Sequence, residues 1–271
     1  MSLDLDRRHV RLHGSSNLRD IGGYPTTCGR QVKWGHIFRS GALWGLSEDD
    51  WAWMEERRFA AICDLRSDAE RAITPTRWRG DIAPRQVDHI YDAAQLFGGR
   101  RVERAAGIGA LEGELYIRFA RLLAPSFRGL FHALLEGDAP ALVHCTAGQD
   151  RTGLAVGLLL TALGVDRATI HADYLLSTDL RRPEHEMDRS QLAALADHNV
   201  VAAFYSNMLA RHGVDAFKPK RLVDDRGRPF LEIAFSAIAH EWGSIDAYLG
   251  TELRIGKAER TALQDRLLAR G

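Results

Sequence analysis

The stretch VHCTAGQDRTG, residues 143–153, places a thiol, a glycine, a carboxylate and a guanidinium side by side. Before it, Ala141-Leu142-Val143 reads as a buried strand that ends near Cys145. After it, RTGLAVGLLLTAL reads as an almost wholly apolar helix closed by Gly164. A strand that feeds a tight glycine-containing loop and then a helix aims successive backbone N–H groups into one concavity. The helix N-terminus adds a partial positive charge, which makes an anion cradle. Arg151 stands at its rim with a planar fork suited to two oxygens of a phosphate. A thiol beside a helix N-terminus and an arginine ionises more readily than a free one. Cys145 is therefore poised as a thiolate nucleophile facing a bound phosphate. Most lone cysteines are small buried hydrophobes. Cys63, inside AICDL, fits that description, and Cys28 in TTCGR reads as a surface residue without a role. Around Cys145 the packing explanation leaves the glycine, acid, Arg and Thr unexplained.

These groups need a scaffold. Residues 13–45 are rich in Gly and aromatics and read as turns with short strands. Ser47 caps a helix with acids in its first turn. Ala60–Leu65 reads as a buried strand, and Asp81–Ile90 holds room for another. Helices are expected over Glu112–Leu123 and Ser126–Leu135, split at Pro125. Asp166 restarts a helix through Tyr174 and Leu176. Strands alternating with helices indicate an α/β domain. Residues 180–225 differ: RRPEHEMDRSQ is charged, and the following segment to Gly213 has helical periodicity with Ser190 as a cap. It is either a lid or helical insertion, or a plain surface extension. Helical stretches at Phe230–His240, Ser244–Leu249 and Ala258–Leu268 complete the chain.

The 271 residues allow one large domain or two small ones. No repeat, low-complexity tract or linker divides them, so one domain over 1–271 with an insertion is expected. Lys+Arg and Asp+Glu are 36 each, for a formal net charge of zero, which removes the basic footprint of a nucleic-acid binder. The basic residues are nearly all Arg; the lysines are Lys33, Lys218, Lys220 and Lys257. Codon bias explains most of that excess. Three dispersed cysteines form neither a disulfide framework nor a CxxC metal site. The N-terminus lacks the apolar core of a classical signal peptide, and no run approaches the ~18 apolar residues of a membrane span. The expected compartment is the cytoplasm, with non-classical export left open.

HCTAGQDRTG resembles the Cys-x5-Arg-Thr signature of the protein tyrosine phosphatase superfamily. Within it, the chain is similar to bacterial atypical tyrosine/serine phosphatases related to phosphoinositide phosphatases. NLRDIGGY (17–24), KWGHIFRSGAL (33–43), CDLRSDAE (63–70), DYLLST (173–178) and FLEIAFSAIAHEWGSIDAYL (230–249) carry the same likeness in the expected order. The weakly matching part is roughly 180–225, where relatives carry a helical lid.

The resemblance implies a central, mostly parallel sheet flanked by helices, and hydrolysis through a phosphocysteine without metal or organic cofactor. Substrates would be phosphotyrosine proteins, extending to phosphoserine/threonine and phosphoinositides. Cys145 would be the nucleophile and Arg151 the transition-state clamp. The backbone N–H groups across Thr146, Ala147, Gly148, Gln149 and Asp150 would hold the phosphate oxygens. Thr152 either donates to the thiolate or is an ordinary first-turn helix residue. His144 orients the loop by hydrogen bonding. Asp150 is the first choice as general acid, although the adjacent Arg151 favours its ionised form and only a dianionic substrate pushes the other way. Asp92, in HIYDAAQ, is the second, and Asp64 the third, better suited to bracing the site. Arg19 and Asp20 look architectural, and Arg66 with Glu70 could pair at helical spacing. The family loop commonly reads Ala-Gly-Lys-Asp-Arg. Gln149 replaces that Lys, which makes phosphoinositide activity less secure than aryl phosphate activity. The competing classes are a non-catalytic phosphate-binding module and a rhodanese-like sulfur transferase.

Overall fold

The computed structural model describes residues 4–79, 83–97 and 108–270. The strands among them are β1 (Arg19–Asp20), β2 (Arg30–Val32), β3 (Ile37–Ser40), β4 (Ala61–Asp64), β5 (Arg85–Gln86), β6 (Ala141–His144) and β7 (Leu268–Arg270). The main sheet runs β1-β3-β6-β4-β5, and β2 pairs separately with β7. Only β1 is antiparallel to its neighbour in the main sheet. The register sets Ser40, Asp64 and His144 side by side where β3, β4 and β6 end. The chain therefore leaves β6 at Cys145 into the crevice outside the carboxyl ends of the strands, where open parallel sheets bind ligands.

The helices are α1 (Leu5–Arg8), α2 (Glu48–Arg57), α3 (Asp68–Ile73), α4 (Ala94–Phe97), α5 (Ile108–Leu122), α6 (Ala124–Glu136), α7 (Asp150–Leu163), α8 (Arg167–Leu175), α9 (Ser177–Leu180), α10 (Leu192–Leu195), α11 (Val200–His212), α12 (Phe230–Trp242), α13 (Ile245–Thr251) and α14 (Lys257–Leu267). Strand alternation divides the core in two. Phe38, Ile62 and Leu142 face Trp51, Met54 and Phe59 beneath α2. Ile37, Ala61, Cys63, Ala141 and Val143 face the opposite way, into the large core built with α5, α6, α7 and α12. Helix α7 is buried almost all round, as its composition requires, and ends on Gly164 at φ +83°. Among the described residues, no helix is long and apolar enough to cross a membrane.

The expected α/β architecture is present, with three local differences. The strand looked for across Asp81–Ile90 is the exposed pair Arg85–Gln86, with Asp81 and Ile82 outside the described residues. Pro125 does not merely split two helices. It sits in the first turn of α6, where a missing N–H costs nothing. The single helix expected from Ser190 is broken. Asp188, not Ser190, caps a 3₁₀ turn over Arg189–Gln191, and the Asn199 side chain accepts from the Val201 and Ala202 amides to start α11. Asp and Asn within a helical pattern offer the backbone a competing acceptor. The 180–225 segment docks through Met187, Leu192, Val201 and Ala202 onto Ile73 and Ala93.

Candidate active site

Gly148 lies at φ +64°, and a Cβ there would sit 2.5 Å from the Ser40 backbone. Only glycine permits this turn at this depth. The carbonyls around it are tied outward. That of Thr146 accepts from the Ala42 amide at 2.9 Å. Asn17 Nδ2 donates to the Ala147 and Gly148 carbonyls at 3.2 and 2.8 Å. Arg39 Nη2 also donates to the Gly148 carbonyl, at 2.8 Å. Because each peptide is planar and trans, the N–H groups of Ala147, Gly148 and Gln149 point the other way. Thr146, Ala147, Gln149, Asp150 and Arg151 line a cavity of about 550 Å³ that also contains Cys145. Cys145 is 2% exposed.

Arg151 is held by Glu70. Nη1 and Nη2 donate to the two carboxylate oxygens at 2.6 Å each, and Nη1 also reaches the Leu65 carbonyl and the Tyr91 hydroxyl. The same carboxylate accepts from Thr146 Oγ1 and completes the capping box of α3 with Ser67. Burial alone would raise the Glu70 acid, but Arg151 and these donors bring it down to about 2. The expected Arg66–Glu70 pair does not form. Arg66 instead forks onto Asp64, with Nη2 at 2.7 Å from Oδ2.

Asp150, the first residue of α7, accepts from three donors. Tyr116 reaches Oδ1 at 2.9 Å, Tyr174 at 3.2 Å, and Gln149 Nε2 stands 3.3 Å from Oδ2. Tyr174 reaches it because Gly153 has no side chain; a Cβ there would sit 2.7 Å from the ring. Burial, reinforced by Asp150, pushes both phenols well above their usual range, so they remain donors. The Gln149 amide is oriented from behind, since Arg181 Nη1 donates to its Oε1 at 2.8 Å. Arg181 in turn forks onto Glu186 at 2.8 and 2.7 Å.

Two buried polar clusters support the loop. Asp173 pairs with Arg19 Nε at 2.9 Å and Arg39 Nη1 at 2.5 Å, and accepts from Tyr24 at 2.9 Å. Despite its burial, the two arginines hold the Asp173 acid well below the carboxylate range. His144 is fully buried, with Nδ1 3.4 Å from the Cys145 carbonyl and Nε2 3.8 Å from Asp64. Burial pushes its imidazole down to about 4, so it is neutral near pH 7.

The fold thus brings together Cys145, Thr146, Ala147, Gly148, Gln149, Asp150 and Arg151, with His144 and Asp64 behind them. Thr152 is buried, and its hydroxyl has no hydrogen-bond partner among the described residues. Asp92 is not brought to the loop: it is exposed, and its carboxylate accepts from the Ala94 amide at 2.7 Å. Sequence reasoning gave no role to Asn17, Arg39, Tyr116, Tyr174 or Arg181. Arg39 left a signal, as a charge inside the apolar strand IFRS, but the two tyrosines are indistinguishable from core aromatics in the sequence.

A model of the tyrosine phosphatase family matches residues 10–269. The chain belongs to that family. Triple specificity protein phosphatase PtpB of Mycobacterium tuberculosis is 56% identical over 268 residues, covering 88% of this chain and 91% of that protein. A Cupriavidus necator protein provisionally named a tyrosine-protein phosphatase is 30% identical over 248 residues, 90% of this chain and 84% of its own length. A tyrosine-protein phosphatase of Nostoc commune matches a shorter part, 32% identical over 118 residues. This family member keeps the Cys-x5-Arg loop entire, with Gln149 before its Asp150-Arg151 pair.

Proposed function

We propose that the chain hydrolyses phosphotyrosine by transferring the phosphoryl group to Cys145. The observation that carries this reading is one cavity holding the Cys145 thiol, the outward-tied loop and an Arg151 fork fixed by Glu70. The loop amides and Arg151 bind the three non-bridging oxygens. The thiolate attacks phosphorus from the opposite side to the leaving oxygen, the P–S bond forms as the P–O bond breaks, and Asp150 gives its proton to that oxygen. Water then attacks phosphorus and passes a proton to the Asp150 carboxylate, releasing phosphate and regenerating the thiolate. Charge stabilisation by a preorganised cradle supplies most of the acceleration in such transfers.

The buried Thr152 hydroxyl makes no hydrogen bond to Cys145, so no part in holding the thiolate is assigned to it. His144 and Asp64 hold the end of β6. The 180–225 segment supplies one wall of the cavity through Val201, Phe204, Tyr205 and Met208, which supports reading it as a lid within one domain spanning 1–271. Aryl phosphates come first. Phosphoserine/threonine and phosphoinositides come second, because Gln149 lacks the charge of a lysine; the PtpB relative is named a triple specificity phosphatase. A reducing compartment such as the cytoplasm suits three free thiols, one of them catalytic.

The test is turnover of p-nitrophenyl phosphate in EDTA by wild type and Cys145→Ser. Loss of turnover in the variant, with vanadate binding retained, supports the reading. Activity that survives Cys145→Ser overturns it, and a wild type that binds vanadate without turnover favours a phosphate-binding module.

A further inference from the structure

We infer that Lys218, Lys220 and Arg221 form a second anion subsite at the cavity mouth, one that selects phosphopeptides with acidic side chains near the phosphorylated residue. This rests on the phosphatase reading above. The chain has four lysines, and two lie in Lys218-Pro219-Lys220-Arg221. All three cations line the cavity that contains Cys145.

Charge accounting separates this cluster from the floor. Arg151 is matched by Glu70, and Arg181 by Glu186. Lys220 and Arg221 are exposed, and among the described residues neither head group has an acidic partner. Lys218 meets Asp215 at 2.8 Å, but both side chains are about two-thirds exposed, and such pairs contribute little. The unneutralised positive charge therefore stands at the mouth.

The cluster is held in place. Phe217 stacks on Tyr205 with ring centroids 5.8 Å apart. Pro219 restricts the backbone between the lysines. Thr178 Oγ1 donates to the Lys220 carbonyl at 3.3 Å, and Leu222, which is buried, accepts from the Phe230 amide at 3.0 Å. Between floor and mouth the wall is apolar, with Leu115, Phe119, Phe204 and Met208, and suits an aryl ring.

Geometry favours a peptide over a lipid head group. A rounded cavity of this volume spans about 10 Å, the length of some three extended residues. An acidic side chain two or three positions from phosphotyrosine reaches the mouth. The extra phosphates of a phosphoinositide share one ring with the scissile group and lie nearer the floor, where Gln149 is neutral.

The experiment compares kcat/KM for two phosphotyrosine peptides, one with Asp and Glu at flanking positions and one with Asn and Gln. Wild type should prefer the acidic peptide about tenfold at low salt, the scale of a few exposed charge pairs. The triple variant Lys218→Ala, Lys220→Ala, Arg221→Ala should bring that ratio to about one. Independently of any variant, raising salt from about 0.02 to 0.5 M shortens the screening length from roughly 20 to 4 Å and should erase the preference in wild type. A ratio near one in wild type at low salt overturns the inference, as does an equal loss on both peptides in the variant. Phosphoinositide vesicles whose hydrolysis depends on the three cations while the peptide ratio does not would assign the cluster to lipid instead. Failure of the underlying reading is distinct, since Cys145→Ser would then still turn over p-nitrophenyl phosphate.

Discussion

Tyr116→Phe tests whether Asp150 works as the proton donor in the position its neighbours impose. The substitution removes the hydroxyl 2.9 Å from Asp150 Oδ1 and keeps the ring that packs edge-on against Phe119. A hydrogen bond to an ionised group contributes about 2 kcal/mol, and loss of that positioning in the transition state corresponds to roughly 30-fold in rate. Tyr174 and Gln149 remain as donors, so the carboxylate drifts rather than detaches. The discriminating assay varies the leaving group. Phenyl phosphate expels a basic phenolate that must be protonated, whereas p-nitrophenolate departs with little help. We expect kcat/KM to fall about 30-fold on phenyl phosphate and less than about threefold on p-nitrophenyl phosphate. Tyr174→Phe should show the same pattern more weakly, its contact being 3.2 Å. Asp150→Asn should show it most strongly, and Asp92→Asn not at all, since Asp92 stands outside the cavity. An equal loss on both substrates would mean that the tyrosines merely pack, and no loss on either from Asp150→Asn would remove Asp150 from the acid role.

Other outcomes follow from the buried charges. Glu70→Gln should lower kcat/KM on every substrate by about 10²-fold, because the Arg151 fork loses its brace; activity within threefold of wild type would refute that brace. The Glu70 acid is depressed in the folded state, so its contribution to stability is complete above about pH 4.5 and is lost as pH falls toward about 2. His144 acts in a higher window. The folded imidazole is depressed from about 6.5 to about 4, so the native state resists a proton that the unfolded chain accepts, and stability falls as pH drops through that range. Thermal melts from pH 8 to 4 should show this decline, and His144→Gln should flatten it. Asp173→Ala leaves Arg19 and Arg39 buried without a counter-charge. The cost is about 3–5 kcal/mol, or roughly 10 °C in Tm by calorimetry. Cys28 is exposed, with Arg30 Nε 3.4 Å and Thr26 Oγ1 3.2 Å from its sulfur, and its thiol is brought down to about 7. Iodoacetamide at pH 7 should label Cys28 far ahead of the buried Cys63, as read by peptide mass spectrometry, and Arg30→Ala should slow it.

The arginine-rich composition looks different once the loop's supports are known. Arg8, Arg19, Arg39 and Arg66 are among the largest fully buried side chains. Each serves as a multi-donor tie rather than a surface charge. Arg8 Nη1 donates to the Asp20 and Gly22 carbonyls, and its guanidinium lies 3.8 Å from the centre of the Tyr24 ring. Arg39 joins Asp173 to the Gly148 carbonyl. A planar group with five donors can fork onto a carboxylate and still reach a loop carbonyl from a separate nitrogen, whereas lysine's three donors radiate from one. Codon bias alone does not account for arginines at these positions.

The readable parts of the chain were those where one local rule decides. Cys145 through Arg151 announced themselves because the chemistry is contiguous, and Ser47 and Gly164 because caps are local. The α3 capping box of Ser67 and Glu70 went unread. Glu70 looked like a helix partner for Arg66 because both lie in one segment, whereas in the fold Arg151, 81 residues away, displaces that pairing. The same holds for Asp150. Its neighbour Arg151 dominated reasoning from sequence, but the geometry turns Arg151 toward Glu70 and surrounds Asp150 with Tyr116, Tyr174 and Gln149, from three separate elements. Adjacent residues in a helix point to different neighbours, so chain proximity drew attention to Arg151 and concealed the tyrosines that contact the Asp150 carboxylate. The helical character of the segment after Ser190 was legible from its periodicity, though not its break before Asn199. What it covers was not, because periodicity defines an apolar face without naming its partner, and here part of that face meets α3 while Phe204, Tyr205 and Met208 meet the cavity.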